Sequence, residues 1–302
     1  MNEQKNIDLV EDVISSETER FISGVSSAQS GIFNRVTALV KELDLDASGK
    51  IKTTAKNVKI LARIRTDIEK ELLTDTYKAN VAHVNKQLEA IKGLNDQYYG
   101  ALVEAFKPNR EIYGQLLKSS ADVVYESLAG SGVYSSIAEP VKEIVRQAVF
   151  GGDNFASLID NLRIELKGIP GERVGSLERY TGQIVNDALS QFDRTYNQQV
   201  SNDLGLEWIR YAGSAIKTSR PFCEKYHNQY FHIAEFSDMG EDPGKGPDGE
   251  AINRTGFIKG TNGDNIFRYG GGYNCRHVIR YVTIDRVPKD VQQRAKKKGL
   301  IE

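Results

Sequence analysis

The chain has 302 residues, with 40 Lys or Arg against 41 Asp or Glu and a formal net charge of −1, which excludes a globally basic nucleic-acid binder. With 39% apolar and 27% charged residues it has the composition of an ordinary folded protein, and its length predicts more than one domain. No apolar run approaches the roughly 18 residues of a membrane span, and the stretch from Met1 to Asp8 lacks a hydrophobic signal region, so synthesis in a cytosol is expected.

Apolar residues at helical spacing, from Val10, Val13 and Ile14 through Phe21, Val25, Val36 and Leu43, predict one long helix or two closely spaced ones. A second run follows, including Leu61, Ile64, Ile68, Leu72, Tyr77, Val81, Val84, Leu88, Ile91 and Tyr98. With no proline from 53 to 107, a helix of about 50 residues, about 75 Å long, is allowed. The expected architecture is mostly α: a long N-terminal αα-hairpin with a coiled-coil-like seam over 1–107, then a helical body over 108–205. A hairpin that long leaves residues such as Val81 and Leu88 to gain from neighbouring copies, so a multi-copy assembly is expected.

The intervening turn, Asp44-Leu-Asp46-Ala-Ser48-Gly49, imitates the start of an EF-hand loop, but Ala55 stands where the bidentate Glu is needed. Helix capping and a tight turn are therefore expected there. Pro108 and Asn109 end the second run. Helices are predicted over roughly 110–128, 133–149, 153–167 and 173–203, with Asp153 as an N-cap. The polar residues Gln183, Asn186, Gln191 and Arg194 of the last helix are expected on a solvated or interface face.

From Leu206 the texture changes. Glu207–Ala212, Asn228–Ile233 and Val278–Val282 are rich in aromatic and β-branched residues and predict three strands of a small C-terminal α+β module over 206–286. A polar, glycine-rich stretch from Ser237 to about Gly272 separates the last two, and such long loops are functional or disordered. Gly270-Gly271-Gly272 is expected to be a flexible turn. A basic tail, 287–302, carries Arg294, Lys296, Lys297 and Lys298, where local, non-specific DNA contact competes with a solvated helix end.

The module holds both cysteines and three of the four histidines. Cys223 and His227 share a face on a helical turn, and Cys275 and His277 share a face on a strand. Those four side chains would satisfy one tetrahedral structural zinc, with His232 as a substitute ligand. Unliganded core residues and a Cys223–Cys275 disulfide are the alternatives. A small module has little core, which favours some such staple. Trp208 and Phe222 are expected in that core, and Arg220 either binds a carboxylate or phosphate or makes an internal salt bridge.

The ordered set of a polar helix, the Trp208 strand, Ser219-Arg220-Pro221-Phe222-Cys223, a variable loop, and Gly271-Gly272-Tyr273-Asn274-Cys275-Arg276-His277 before a strand resembles the C-terminal domain of phage Mu protein F-like minor head proteins. The resemblance covers roughly residues 175–285, and the hairpin with its Asp-x-Asp-x-Ser-Gly turn is similar to regions preceding that domain in phage structural proteins. It implies a virion protein in the capsid interior or at the portal vertex, contacting portal or major capsid proteins during head assembly and DNA packaging or delivery, and present in the host cytoplasm before assembly. Many family members have an acidic residue at the position of Ser219 and cysteines at those of His227 and His277. Cysteine-to-histidine exchange is consistent with a metal site and inconsistent with a second disulfide.

A second reading is a metal-dependent nuclease, with His277 or His232 as general base beside Glu224 or Asp238, which requires an open coordination position. A third makes the hairpin a coiled-coil adaptor in a cellular complex.

Overall fold

A computed structural model describes residues 1–104, 106–108 and 110–302, so the expected break at Asn109 lies outside the described residues. The protein is mostly helical, with a long N-terminal helical region and a small three-stranded antiparallel sheet near the C-terminus. The chain forms two compact units, neither of them a contiguous stretch: Met1–Glu17, Lys86–Ala121 and Asn186–Glu302 make the first, and Thr18–Asn85 and Asp122–Val185 the second. Among the described residues no helix is long and apolar enough to cross a membrane.

Four helices lead. They are α1 (Glu3–Val40), α2 (Ala55–Leu72), α3 (Asp75–Leu102) and α4 (Arg110–Ala129). The second apolar run is thus two helices rather than one of about 50 residues. Leu73 closes α2, and the Thr74 hydroxyl accepts the Tyr77 N–H at 3.3 Å to start α3. Absence of proline permits a continuous helix, but a Thr-Asp pair supplies an N-cap and a first-turn carboxylate that favour a restart.

In the second unit the hairpin is antiparallel: Arg20 reaches Asn80, and further up α1 Arg35 pairs with Glu71. Phe21 packs edge-on against Tyr77, whose hydroxyl donates to the Leu128 carbonyl. The 44–54 turn behaves as a capped turn. Asp46 accepts the N–H groups of Ser48 and Lys50, Asp44 pairs with Lys56 at 2.7 Å, and the Thr54 hydroxyl accepts the Asn57 N–H. The remaining helices are α5 (Ser131–Val133), running through a π-helical turn at Tyr134–Ala138 into α6 (Glu139–Gly151), then α7 (Phe155–Lys167) and α8 (Ser176–Leu204). The N-cap of α7 is Asn154, not Asp153: the Asn154 side chain accepts the Ala156 N–H at 2.8 Å, while the Asp153 carbonyl is taken by Ile51. A two-residue ladder, β1 (Gly168–Ile169) with β2 (Arg173–Val174), joins α7 to α8.

The first unit contains the sheet. β3 (Trp208–Ala212) is central, flanked by β4 (Gln229–His232) and β5 (Val278–Val282), in the order β4-β3-β5. Trp208 pairs with His232 and Val282, and Tyr211 with Gln229 and Ile279. Short helices α9 (Pro221–Tyr226), α10 (Ile233–Gly240) and α11 (Ile266–Tyr269) supply Phe222, Phe236 and Phe267 to an aromatic cluster with Tyr211 and Tyr281. The long loop is held internally, because Arg254 donates to the carbonyls of Gly240, Glu241 and Thr261.

The basic tail is part of this core. α12 (Lys289–Lys297) carries Val291 and Ala295 one helical turn apart, and together with Val287 they bury against Trp208 and Val282. Arg294 and Lys298 turn back to the buried Glu235 carboxylate at 2.9 and 2.8 Å, leaving Lys296 and Lys297 exposed. Neither is the module a free-standing small domain, because helices α1, α3 and α8 contribute its other wall. Arg210 pairs with Glu3 at 3.0 Å, and the Tyr98 hydroxyl donates to the Tyr281 carbonyl.

Candidate metal centre

The site lies at the Tyr211 end of the sheet. Pro221 opens α9, its missing N–H costing nothing in a first turn, and places Cys223 on the inner face of that turn. Cys275 sits in the turn that enters β5, where Asn274 adopts a left-handed conformation at φ 55°. His277 immediately precedes β5. Ligand atoms of Cys223, Cys275 and His277 all lie within 4.8 Å of one another, a set able to hold a metal ion. All three side chains are buried, and both cysteines are free thiols.

Tyr211 forms the floor. Its hydroxyl lies 3.2 Å from Cys275 Sγ and 3.3 Å from Cys223 Sγ, and its ring stacks on the His277 imidazole at 4.9 Å. Burial pushes the phenol far above its ordinary range, so it keeps its proton as a donor toward sulfur. The Gly271 N–H donates to Cys275 Sγ at 3.3 Å. A Cβ on Gly271 would collide with Cys223 Sγ, so the glycine cluster is the close backbone approach that sulfur requires rather than a slack turn. The two thiols titrate as a pair. Hydrogen bonding from Cys223 lowers Cys275 against its burial, helped by Arg194 and His277, and the same contact with burial raises Cys223.

Two residues of α8 fix the turn. Arg194 is buried and donates to the carbonyls of Cys275, Arg268 and His277 at 2.5, 2.8 and 3.0 Å. It is therefore a clamp on the turn that carries Cys275 and His277 and not part of a solvated face. Asp187 accepts the Asn274 N–H at 2.6 Å. Its carboxyl is pushed up to about 6, chiefly by burial, with the Asn274 N–H and Arg194 opposing. A carboxyl raised in the folded state binds protons that the unfolded chain has released. Its stabilising share is complete below the ordinary Asp value near 4 and is lost as pH rises through about 6. Asp187→Asn, which keeps an acceptor for Asn274, is expected to remove this slope. The unfolding free energy from urea titration should fall more between pH 4.5 and 7 for wild type than for the variant, by on the order of 1–3 kcal/mol.

The other expected ligands lie apart from the set of three. His227 anchors Nδ1 on the Glu224 and Cys223 carbonyls at 2.9 and 3.2 Å, and its ring centre is 6.2 Å from that of His277. His232 pairs with Trp208, three residues along β3 from Tyr211 and hence about 10 Å away. Its Nδ1 accepts the Ala234 N–H to cap α10, so it is not a substitute ligand. Arg220 caps α9 through its backbone, and its side chain fills the space a Cβ on Gly256 would take. Sequence reasoning found the cysteines and His277 but missed Tyr211, Asp187 and Arg194, whose roles depend on contacts distant in sequence. Comparison with family models, curated proteins and solved structures finds no match to this chain.

Proposed function

We propose that the protein is a minor head protein of a tailed bacteriophage, built into the capsid interior or portal vertex during assembly, with a zinc ion stapling its C-terminal module. One observation carries this reading: the separated motifs that resemble the Mu protein F-like domain converge on one cluster. The Arg220-Pro221-Phe222-Cys223 turn and the Gly271-to-His277 turn meet over Tyr211. Two thiolates and an imidazole suit zinc in preference to hard cations. Exposures of 3% for Cys223, 2% for Cys275 and 4% for His277 favour a structural centre, because a phosphodiester has no path to ligands so enclosed.

The test is coexpression with the portal and major capsid proteins of the same phage, followed by gradient sedimentation and metal analysis. The protein is expected to sediment with proheads and to hold about one zinc per chain, lost in Cys275→Ser. Absence from assembled particles would overturn the head assignment, and absence of zinc from the purified protein would overturn the staple.

A further inference from the structure

His277 leaves one end of its ring unexplained. Nδ1 faces the sulfurs, 3.9 Å from Cys275 Sγ, while Nε2 is buried without a hydrogen-bond partner. A neutral imidazole that ligates through Nδ1 must carry its proton on Nε2, and metal-bound histidines hand that N–H to a carboxylate or carbonyl. The group beside this end comes from the first helix. Glu11 Oε1 accepts the Ser214 N–H at 3.3 Å, in the same unit as the sheet. Gly213, at φ 132°, separates the two: a Cβ there would strike Glu11 Oε1 and press 3.2 Å from His277 Cδ2, the ring carbon next to Nε2. Only a residue without a side chain lets the carboxylate and the imidazole edge share that space.

We infer that Glu11 is the outer carboxylate of the metal centre: when a metal is held at Nδ1, the Glu11 carboxylate beside Gly213 takes the His277 Nε2–H that has no partner without it, and so keeps Nδ1 toward Cys223 and Cys275. This rests on the metal staple proposed above, and it makes α1 part of the centre. Glu11 touches no metal in this arrangement and acts as a positioning residue.

Cobalt(II) reports the centre directly, since thiolate-to-cobalt charge transfer marks both sulfurs. Titration of the full chain, with competition against a chelator, is expected to show Glu11→Gln binding cobalt 10- to 100-fold more weakly with the sulfur band retained. Glu11→Asp should recover part of the loss. In the zinc form of the wild type, the His277 Nε2–H should give a slowly exchanging imidazole proton signal that disappears in Glu11→Gln, which a purely structural role for Glu11 would not produce. Wild-type affinity and an unchanged imidazole signal in Glu11→Gln would overturn the inference and leave the staple standing. No sulfur band in the wild type would overturn both.

Discussion

Asp193→Ala is expected to destabilise the protein by about 3–5 kcal/mol, the cost of leaving a buried charge without its partner. The reason begins in the sheet register. Arg210 on β3 stands directly opposite Arg280 on β5, so two like charges occupy one face of the same antiparallel pair. Each is neutralised by a different helix. Glu3 of α1 takes Arg210, and Asp193 of α8 takes Arg280 through two bonds of 3.0 and 3.1 Å with both side chains fully buried. Asn95 donates to the same Asp193 oxygen at 2.9 Å, Asn197 at 3.1 Å, and Asn6 accepts from Arg280. Removing the carboxylate strands Arg280 opposite Arg210 and leaves the buried Asn95 amide without its acceptor, while Asn197 keeps the Asp193 carbonyl. Equilibrium urea unfolding checks this. The double variant Asp193→Leu with Arg280→Met should recover part of the loss, because an apolar pair leaves no stranded charge while the Asn95 donor and the Asn6 acceptor stay unpaired. A loss below about 1 kcal/mol for Asp193→Ala would mean that the pair is not sealed from solvent.

The parts legible in the sequence were those set by local pattern. Period-3.6 apolar residues placed the helices, and β-branched and aromatic runs placed three strands to within a residue or two. The break at Leu73 was also written locally, in Thr74-Asp75, but proline absence is a weaker guide than a capping residue is. What could not be read was the sidedness of α8. Asn186, Ser190, Asp193, Asn197 and Ser201 recur at three- and four-residue steps, the spacing of a polar face, and all are buried. Period alone says that these side chains point one way. It does not say whether water or a buried Arg280 waits there, because that partner lies 87 residues further along the chain. The metal-site residues divide along the same line. Cys223, Cys275 and His277 announce themselves by rarity and spacing, whereas His227 shares that spacing and lies outside the set of three, since its Nδ1 is fixed on the carbonyls that end α9.

Arg194 lies on that stripe, and replacing it should have the second large effect. Its guanidinium meets the Arg268 carbonyl of α11 and the Cys275 and His277 carbonyls of the turn before β5, in a geometry that a planar five-donor fork satisfies and a single ammonium does not. Arg194→Ala leaves those carbonyls buried without donors, at about 1–3 kcal/mol each if none relaxes, so a net loss of about 3–5 kcal/mol is expected. Arg194→Lys should restore only part of it. Stability is not the whole consequence, because the same guanidinium lowers Cys275 and holds the carbonyls of Cys275 and His277. The Arg194→Lys protein, measured at a temperature where it stays folded, should therefore bind cobalt more weakly than wild type, with an altered sulfur charge-transfer band. Variants in the Asp193–Arg280 pair make no contact with the sulfurs and should lose stability while the folded fraction keeps the wild-type band. If both classes of variant changed the band alike, the turn would be set by overall folding and not by the Arg194 clamp.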